Sequence, residues 1–139
     1  LGPLAGIVGF HLARANVSAL ASFERHVGSP LGLRKAEFSL LVLLAANGPS
    51  VPKRLAQALA VTAPKLTLLV DALATRGLVR RESNPADGRS SHVVLTDKGQ
   101  RLAASSMSAA VPMEQELLAR LTPAEHAMLI ELLDKLTAR

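Results

Sequence analysis

The tightest constraint on this chain lies between Ser50 and Leu95, where the hydrophobic period changes from helical to alternating. Leu55 and Leu59 are spaced for a short helix over 51–59, which Ser50 is placed to cap. Pro52 suits its first turn, where the missing N–H leaves no helical bond unmade. Ala60-Val61 reads as a tight turn, Thr62 as the cap of the next helix, and Pro64 as another first-turn residue. Leu66, Leu69, Val70 and Leu73 give that helix, 62–76, its apolar stripe, and Gly77 closes it where a left-handed residue is wanted. Leu78-Val79-Arg80-Arg81-Glu82 and Ser91-His92-Val93-Val94-Leu95 then read as short strands around the turn formers Asn84-Pro85-Ala86-Asp87-Gly88. A helix as short as 51–59 is marginal alone in water, so it must dock on its neighbour. Two short helices across a tight turn, followed by a hairpin, make a winged helix-turn-helix.

The flanks are helical. Residues 4–27 carry Leu4, Val8, Leu12, Ala15, Ala19 and Phe23 on one stripe, with Arg14, Glu24 and Arg25 off it, and Gly28-Ser29-Pro30 is the expected end. A second helix over about 34–46 turns Phe38, Leu41, Val42 and Ala45 inward, and Leu40, Leu43 and Leu44 make it apolar nearly all round, as a buried helix is. After the hairpin, Thr96 caps a helix expected to reach about Arg120, with a kink or break near Pro112. Thr122-Pro123-Ala124-Glu125 has the capping-box pattern, and Leu129, Leu132, Leu133 and Leu136 follow at helical spacing. The expected fold is mainly α with a small β-hairpin wing, one domain over 1–139. Within it, 31–100 is the winged helix-turn-helix, while 1–30 and 101–139 form a helical dimerisation part. The terminal stripes exceed what a winged-helix core covers, so a second copy of the chain is the expected partner.

Charge narrows the partners further. With 16 Lys and Arg against 11 Asp and Glu, the net charge is +5, which favours an anionic partner. Three Phe and no Trp or Tyr make a stacking platform for single-stranded nucleic acid unexpected. The absence of Cys removes disulfides, thiolate ligands and thiol redox sensing. The longest uncharged run, Phe38 to Pro52, is broken by Gly48-Pro49 and is shorter than the ~20 apolar residues of a membrane helix, so no membrane span is expected. No basic segment precedes the apolar start, so the reading expects no signal peptide and a cytoplasmic location. No glycine-rich phosphate loop, nucleophile elbow or metal-binding His pair is present; no enzyme activity, cofactor or metal is expected. Glu37, Asp71, Glu82 and Asp97 read as surface charges.

Opposite its apolar stripe, the 62–76 helix offers Ala63, Lys65, Thr67 and Leu68 near its N-terminus. A helix entering the major groove reads base edges from there, and an ordinary surface helix shares the pattern. The hairpin adds Arg80, Arg81, Arg89 and His92. Asp87 is spaced to orient the Arg89 guanidinium, and an oriented Arg on a thin hairpin suits a narrow minor groove. On the first helix, His11 and Arg14 share a face suited to a carboxylate or phenolate, with Phe10, Phe38 and Met107 as candidate apolar walls. The same pair also suits a solvated face or a dimer contact.

Leu55-Ala56-Gln57, Leu69-Val70-Asp71-Ala72-Leu73, Arg76-Gly77-Leu78-Val79-Arg80-Arg81, Asp87-Gly88-Arg89-Ser90 and Leu95-Thr96-Asp97-Lys98-Gly99 together resemble the multiple antibiotic resistance regulator (MarR) family. The motifs cover roughly residues 50–101, and the helix order covers almost the whole chain. The resemblance implies a homodimeric winged-helix repressor that binds a pseudo-palindromic DNA operator and releases it on binding a small aromatic or phenolic anion. Thr62, Ala63, Lys65, Thr67 and Leu68 match the family's base-reading face, and Asp87 and Arg89 its wing motif; Pro64, Arg81 and Ser90 complete the expected DNA-contacting set. Pro64 and Leu68 depart from the hydroxyl residue and arginine that many relatives carry there. The alternative reading is a winged-helix protein-interaction module, or a DNA-binding regulator with no effector.

Overall fold

The computed structural model describes residues 1–84 and 87–137. A short 3₁₀ turn, Gly2–Gly6, and an extended Ile7 precede α1 (Val8–Phe23), so the expected 4–27 helix starts later. It then widens into a π-helical turn, Glu24–Gly28, and runs on into the single turn α2 (Ser29–Leu31). Gly28-Ser29-Pro30 therefore does not end it. Pro30 lies inside this continuous run just after the π turn, and the left-handed Gly32 (φ 63°) makes the stop.

Helices α3 (Lys35–Asn47), α4 (Pro52–Leu59) and α5 (Ala63–Thr75) follow. Thr62 caps α5 as expected, its hydroxyl accepting from the Lys65 N–H. Ser50 does not cap α4, whose N-cap is Val51. It acts instead as a one-residue strand: its N–H donates to Val93 O at 3.1 Å, and the Val93 N–H donates to Ser50 O at 2.9 Å. The hairpin strands are longer than expected, β1 (Val79–Asn84) and β2 (Asp87–Leu95), paired antiparallel with Val79 opposite Leu95 and Arg81 opposite Val93. The expected turn Asn84–Gly88 lies in part outside the described residues.

The core gathers one side of each element: Leu40, Leu41 and Leu44 of α3, Leu55 of α4, Leu66, Val70 and Leu73 of α5, and Val79 and Val93 of the hairpin. In α3 the inward set is therefore shifted; Phe38 and Val42 are only half-buried and Ala45 is exposed. Glu37 is buried rather than a surface charge. Its carboxylate accepts the Arg34 N–H at 2.8 Å and lies 3.8 Å from the Arg76 guanidinium, which supplies the partner a buried carboxylate needs. Among the described residues, every buried side-chain polar atom has a hydrogen-bond partner.

Beyond the wing lies α6 (Asp97–Leu117), unbroken through Pro112, and then α7 (Pro123–Leu136). Pro112 lacks the N–H for the carbonyl four residues back and its ring crowds that carbonyl, yet the helix continues past it; the helix stops at Leu117, short of Arg120. Thr96 and Thr122 both cap as expected, and Thr122 forms its capping box with Glu125. One joint sets the angle between wing and α6. The Thr96 hydroxyl donates to Gly77 O at 2.6 Å and accepts from the Gly99 N–H at 3.1 Å, while the Thr96 N–H donates to Leu78 O at 3.1 Å. Gly99 passes so close that a Cβ built on it would stand 2.0 Å from the Leu78 carbonyl oxygen. At the two ends of the chain burial stops: α7 buries no residue, and α1 buries only Ser22 and Phe23. No single described helix is long and apolar enough to cross a membrane.

Candidate nucleic-acid interface

The chain turns through 106° between α4 and α5, within the range of helix-turn-helix motifs. Ala60 makes that turn in the left-handed region, at φ 54°. With Leu66, Val70 and Leu73 buried behind it, the opposite face of α5 is fixed by the helical repeat. Pro64, Leu68, Asp71 and Thr75 run along its centre, with Ala63 and Thr67 on one flank and Lys65 and Ala72 on the other; all are exposed. Leu68 is 70% exposed. The Thr67 hydroxyl donates to Ala63 O at 3.1 Å, so it can offer a base only acceptor lone pairs and its methyl. Thr62 is engaged in capping.

Basic groups surround this face. Arg81 of β1 reaches α5, its Nη2 donating to Asp71 Oδ1 at 2.7 Å. Arg80 pairs with Glu82 at 2.7 Å, both exposed, so it brings little net charge to the wing. The side chains of Asp87, Arg89 and Ser90 lie outside the described residues. The sequence reading passed over Lys53 and Arg54, exposed in the first turn of α4. Two cations there run against the helix dipole, which was the signal available. The first helix of such a motif crosses the phosphate backbone, where cations are wanted. Arg76 and Lys98 serve the fold: Arg76 donates to Gly32 O, and Lys98 to Arg76 O, each at 2.9 Å.

The expected effector residues divide into separate places. Phe10, His11 and Arg14 cluster at the start of α1, where His11 Nε2 lies 2.8 Å from Ala5 O. The Phe10 and His11 rings meet edge-on at 5.5 Å, and the Arg14 guanidinium stands 5.5 Å from the Phe10 ring centre. Phe38 instead packs on Phe23 at 5.6 Å. Phe23 is twelve residues from His11, about 18 Å along the helix at 1.5 Å per residue. Met107 lines a groove of about 620 Å³ on α6 and α7 with Val111, Leu118 and His126. Within one chain Phe38 therefore does not wall the His11–Arg14 pair, and the groove that Met107 lines includes neither of them.

Where α1 ends, Glu116 of α6 gathers three side chains. Arg25 and His26 bond its two carboxylate oxygens, His26 at 2.5 Å, and Ser22 donates to it at 3.3 Å. These bonds, His26 first and then Arg25, hold its carboxyl below the ordinary carboxylate range. Among the described residues no three His, Asp or Glu side chains come together as metal ligands would.

A family model described as MarR family matches residues 31–90. A candidate transcriptional regulatory protein for the hcr operon of Thauera aromatica is 31% identical over 135 residues, covering 97% of this chain and 81% of that protein. The chain belongs to the MarR family. Its fold is that of the MarR winged-helix proteins, and its relatives are transcriptional regulators. A mutant MarR of Escherichia coli complexed with operator DNA superimposes with TM-score 0.87 at 28% identity, covering 99% of this chain and 100% of that one. BpsR of Bordetella bronchiseptica, whose structure concerns regulation of its DNA binding by 6-hydroxynicotinic acid, gives TM-score 0.88 at 27% identity, covering 97% and 96%. This protein is thus a MarR-family transcriptional regulator.

Proposed function

We propose that this MarR-family regulator is a homodimeric repressor, held on a pseudo-palindromic operator and released by a small aromatic or phenolic anion. The observation that carries the DNA half is the face of α5: its N-terminal residues are exposed, Leu66, Val70 and Leu73 lock the helix from behind, and Lys53 and Arg54 stand exposed on the helix before it. Lys53, Lys65 and Arg54 supply phosphate contacts, Thr67 and Leu68 base-edge contacts, and Arg89 a wing contact. The MarR complex with operator DNA supports the same docking. Residues 31–100 act as the DNA-binding part, and 1–30 with 101–139 as the dimerisation part.

Dimerisation is supported by what the ends of the chain leave in water. Val8, Leu12 and Val17 of α1 and Met128, Ile130 and Leu132 of α7 are each more than 40% exposed. Apolar surface on that scale is what a partner covers. An aromatic acid as effector is supported by BpsR and by the Phe10–His11–Arg14 cluster, which presents a cation and an aromatic ring on the arm that a second copy would meet. The protein would act in the cytoplasm, on the cell's own DNA.

The test is fluorescence anisotropy on duplexes selected from a random library, over a range of salt, with light scattering alongside. The expected result is a dimer at micromolar concentration, affinity falling with salt as several phosphates are neutralised, and release by 6-hydroxynicotinic acid or a related aromatic acid. A monomer refutes the dimer. Binding that no aromatic acid alters refutes the effector, leaving a DNA-binding regulator without one.

A further inference from the structure

The outward face of α5 is short of groups that read bases. Along its centre, Pro64 and Leu68 offer apolar contact only, and the Thr75 hydroxyl, like that of Thr67 on the flank, donates to the carbonyl four residues back and keeps only acceptor capacity for a base. Lys65, on the flank, is a flexible point charge rather than a fork. The one ionised group on the centre line is Asp71, and a bare carboxylate there would repel the phosphates of any duplex the face approached. It is not bare. Arg81 Nη2 donates to Asp71 Oδ1 at 2.7 Å, and both side chains stay open to solvent, 40% and 55% exposed.

Arg81 belongs to the wing, not to α5. Its backbone sits opposite Val93, and Val93 is bonded on its other side to Ser50, so three chain segments meet at this level. The ladder fixes its Cα, and Asp71 fixes its guanidinium one helical turn from Leu68. A guanidinium has five N–H donors. Asp71 engages one, which leaves a pair free to meet the N7 and O6 acceptors of a guanine in the major groove.

We propose that Arg81, held by Asp71, is the guanine reader of this protein: the wing strand lends the recognition helix the fork that its own face lacks. Asp71 is a positioning residue, acting through Arg81. The inference rests on the proposal that this face of α5 enters the major groove. It differs from a phosphate contact, which positions the protein but carries no sequence information.

The experiment is selection of bound sequences from a random duplex library by wild type, Arg81→Lys, Arg81→Ala, Asp71→Ala and Asp71→Glu. Each variant is first checked by circular dichroism for an unchanged helical spectrum. Wild type should enrich a site with one strongly preferred G·C pair in each half. Arg81→Lys keeps the charge and loses the fork, so it should lose that preference while keeping the rest of the site. Replacing that guanine by 7-deazaguanine should cost wild type about tenfold to a hundredfold in affinity and Arg81→Lys less than about twofold. Asp71→Ala should weaken the same position, and Asp71→Glu should restore part of it, which a merely structural role would not do. If Arg81→Lys retains every preference, the inference is overturned. It is equally overturned if Arg81→Ala weakens selected and scrambled duplexes alike with a salt slope shallower by about one unit, the mark of a phosphate contact. A wild type that enriches no sequence overturns the underlying DNA-reading proposal as well, so the two failures are told apart.

Discussion

Replacing Gly99 with alanine puts one methyl group into the tightest joint of the fold. The new Cβ would lie 2.0 Å from the Leu78 carbonyl oxygen, 3.0 Å from its carbon and 3.1 Å from a Leu95 methyl. An unstrained carbon–oxygen approach is about 3.3 Å, so helix and strand must part by roughly 1.3 Å. The obstruction is backbone, which cannot rotate away, and that carbonyl also accepts the Thr96 N–H at 3.1 Å. Overpacking of this kind costs roughly 1–3 kcal/mol, and weakening the Thr96 bond adds up to about 1 kcal/mol. Against this, alanine gains at most about 1 kcal/mol over glycine within a helix, and less here in the first turn of α6. The net expectation is a loss of about 2 kcal/mol, or a Tm lower by about 6 °C for a chain of this length. Far-UV circular dichroism melts at one fixed protein concentration read it directly. A Tm equal to or above that of wild type would refute the reasoning, since it would mean that the wing and α6 are free to separate at this joint.

Three further outcomes follow from the geometry. Glu116 has its carboxyl held low by His26 and Arg25, so its contribution to stability is complete above the ordinary carboxylate range and fades as pH falls through its own lower value; Glu116→Gln should flatten that acid limb in urea midpoints taken across pH, and an unchanged profile would count against the link. His11→Ala and Arg14→Ala should bind operator like wild type yet lose release by an aromatic acid; normal release by both would place the effector site elsewhere. Arg89→Ala should weaken selected and scrambled duplexes together, with a salt slope shallower by about one unit; anisotropy identical to wild type on both would mean that the wing tip does not touch DNA.

Thr62, Thr96 and Thr122 announce their helices in sequence because capping is local: the hydroxyl and the N–H it serves are three residues apart. The face of α5 was legible for a similar reason, since the helical repeat alone sets Leu66, Val70 and Leu73 against Leu68. Contacts across the chain were not. Ser50 bonds to Val93, and a strand one residue long has no alternation to betray it. Glu37 looked like a surface charge because the Arg76 that accompanies it is far off in sequence. The same blindness hid the Arg81–Asp71 pair, although both residues were in view separately. Of the residues proposed for an effector, Phe10, His11 and Arg14 come together because they share one helical turn, whereas walls from Phe38 and Met107 depend on how helices pack, which spacing does not encode.

The bridge between Ser50 and Val93 has a consequence for entropy. A long side chain stilled on binding costs roughly 0.5–1.5 kcal/mol of lost freedom. Arg81 sits opposite Val93 and is already tied to Asp71, so folding has met part of that cost before any duplex arrives. Lys53, Arg54 and Lys65 make no side-chain bond among the described residues and stand exposed, so they still have rotamer freedom to lose. The proposed interface thus mixes one pre-ordered cation with several mobile ones. Mobile cations suit sliding along any phosphate backbone. The ordered one gains its advantage only where a fixed geometry is met.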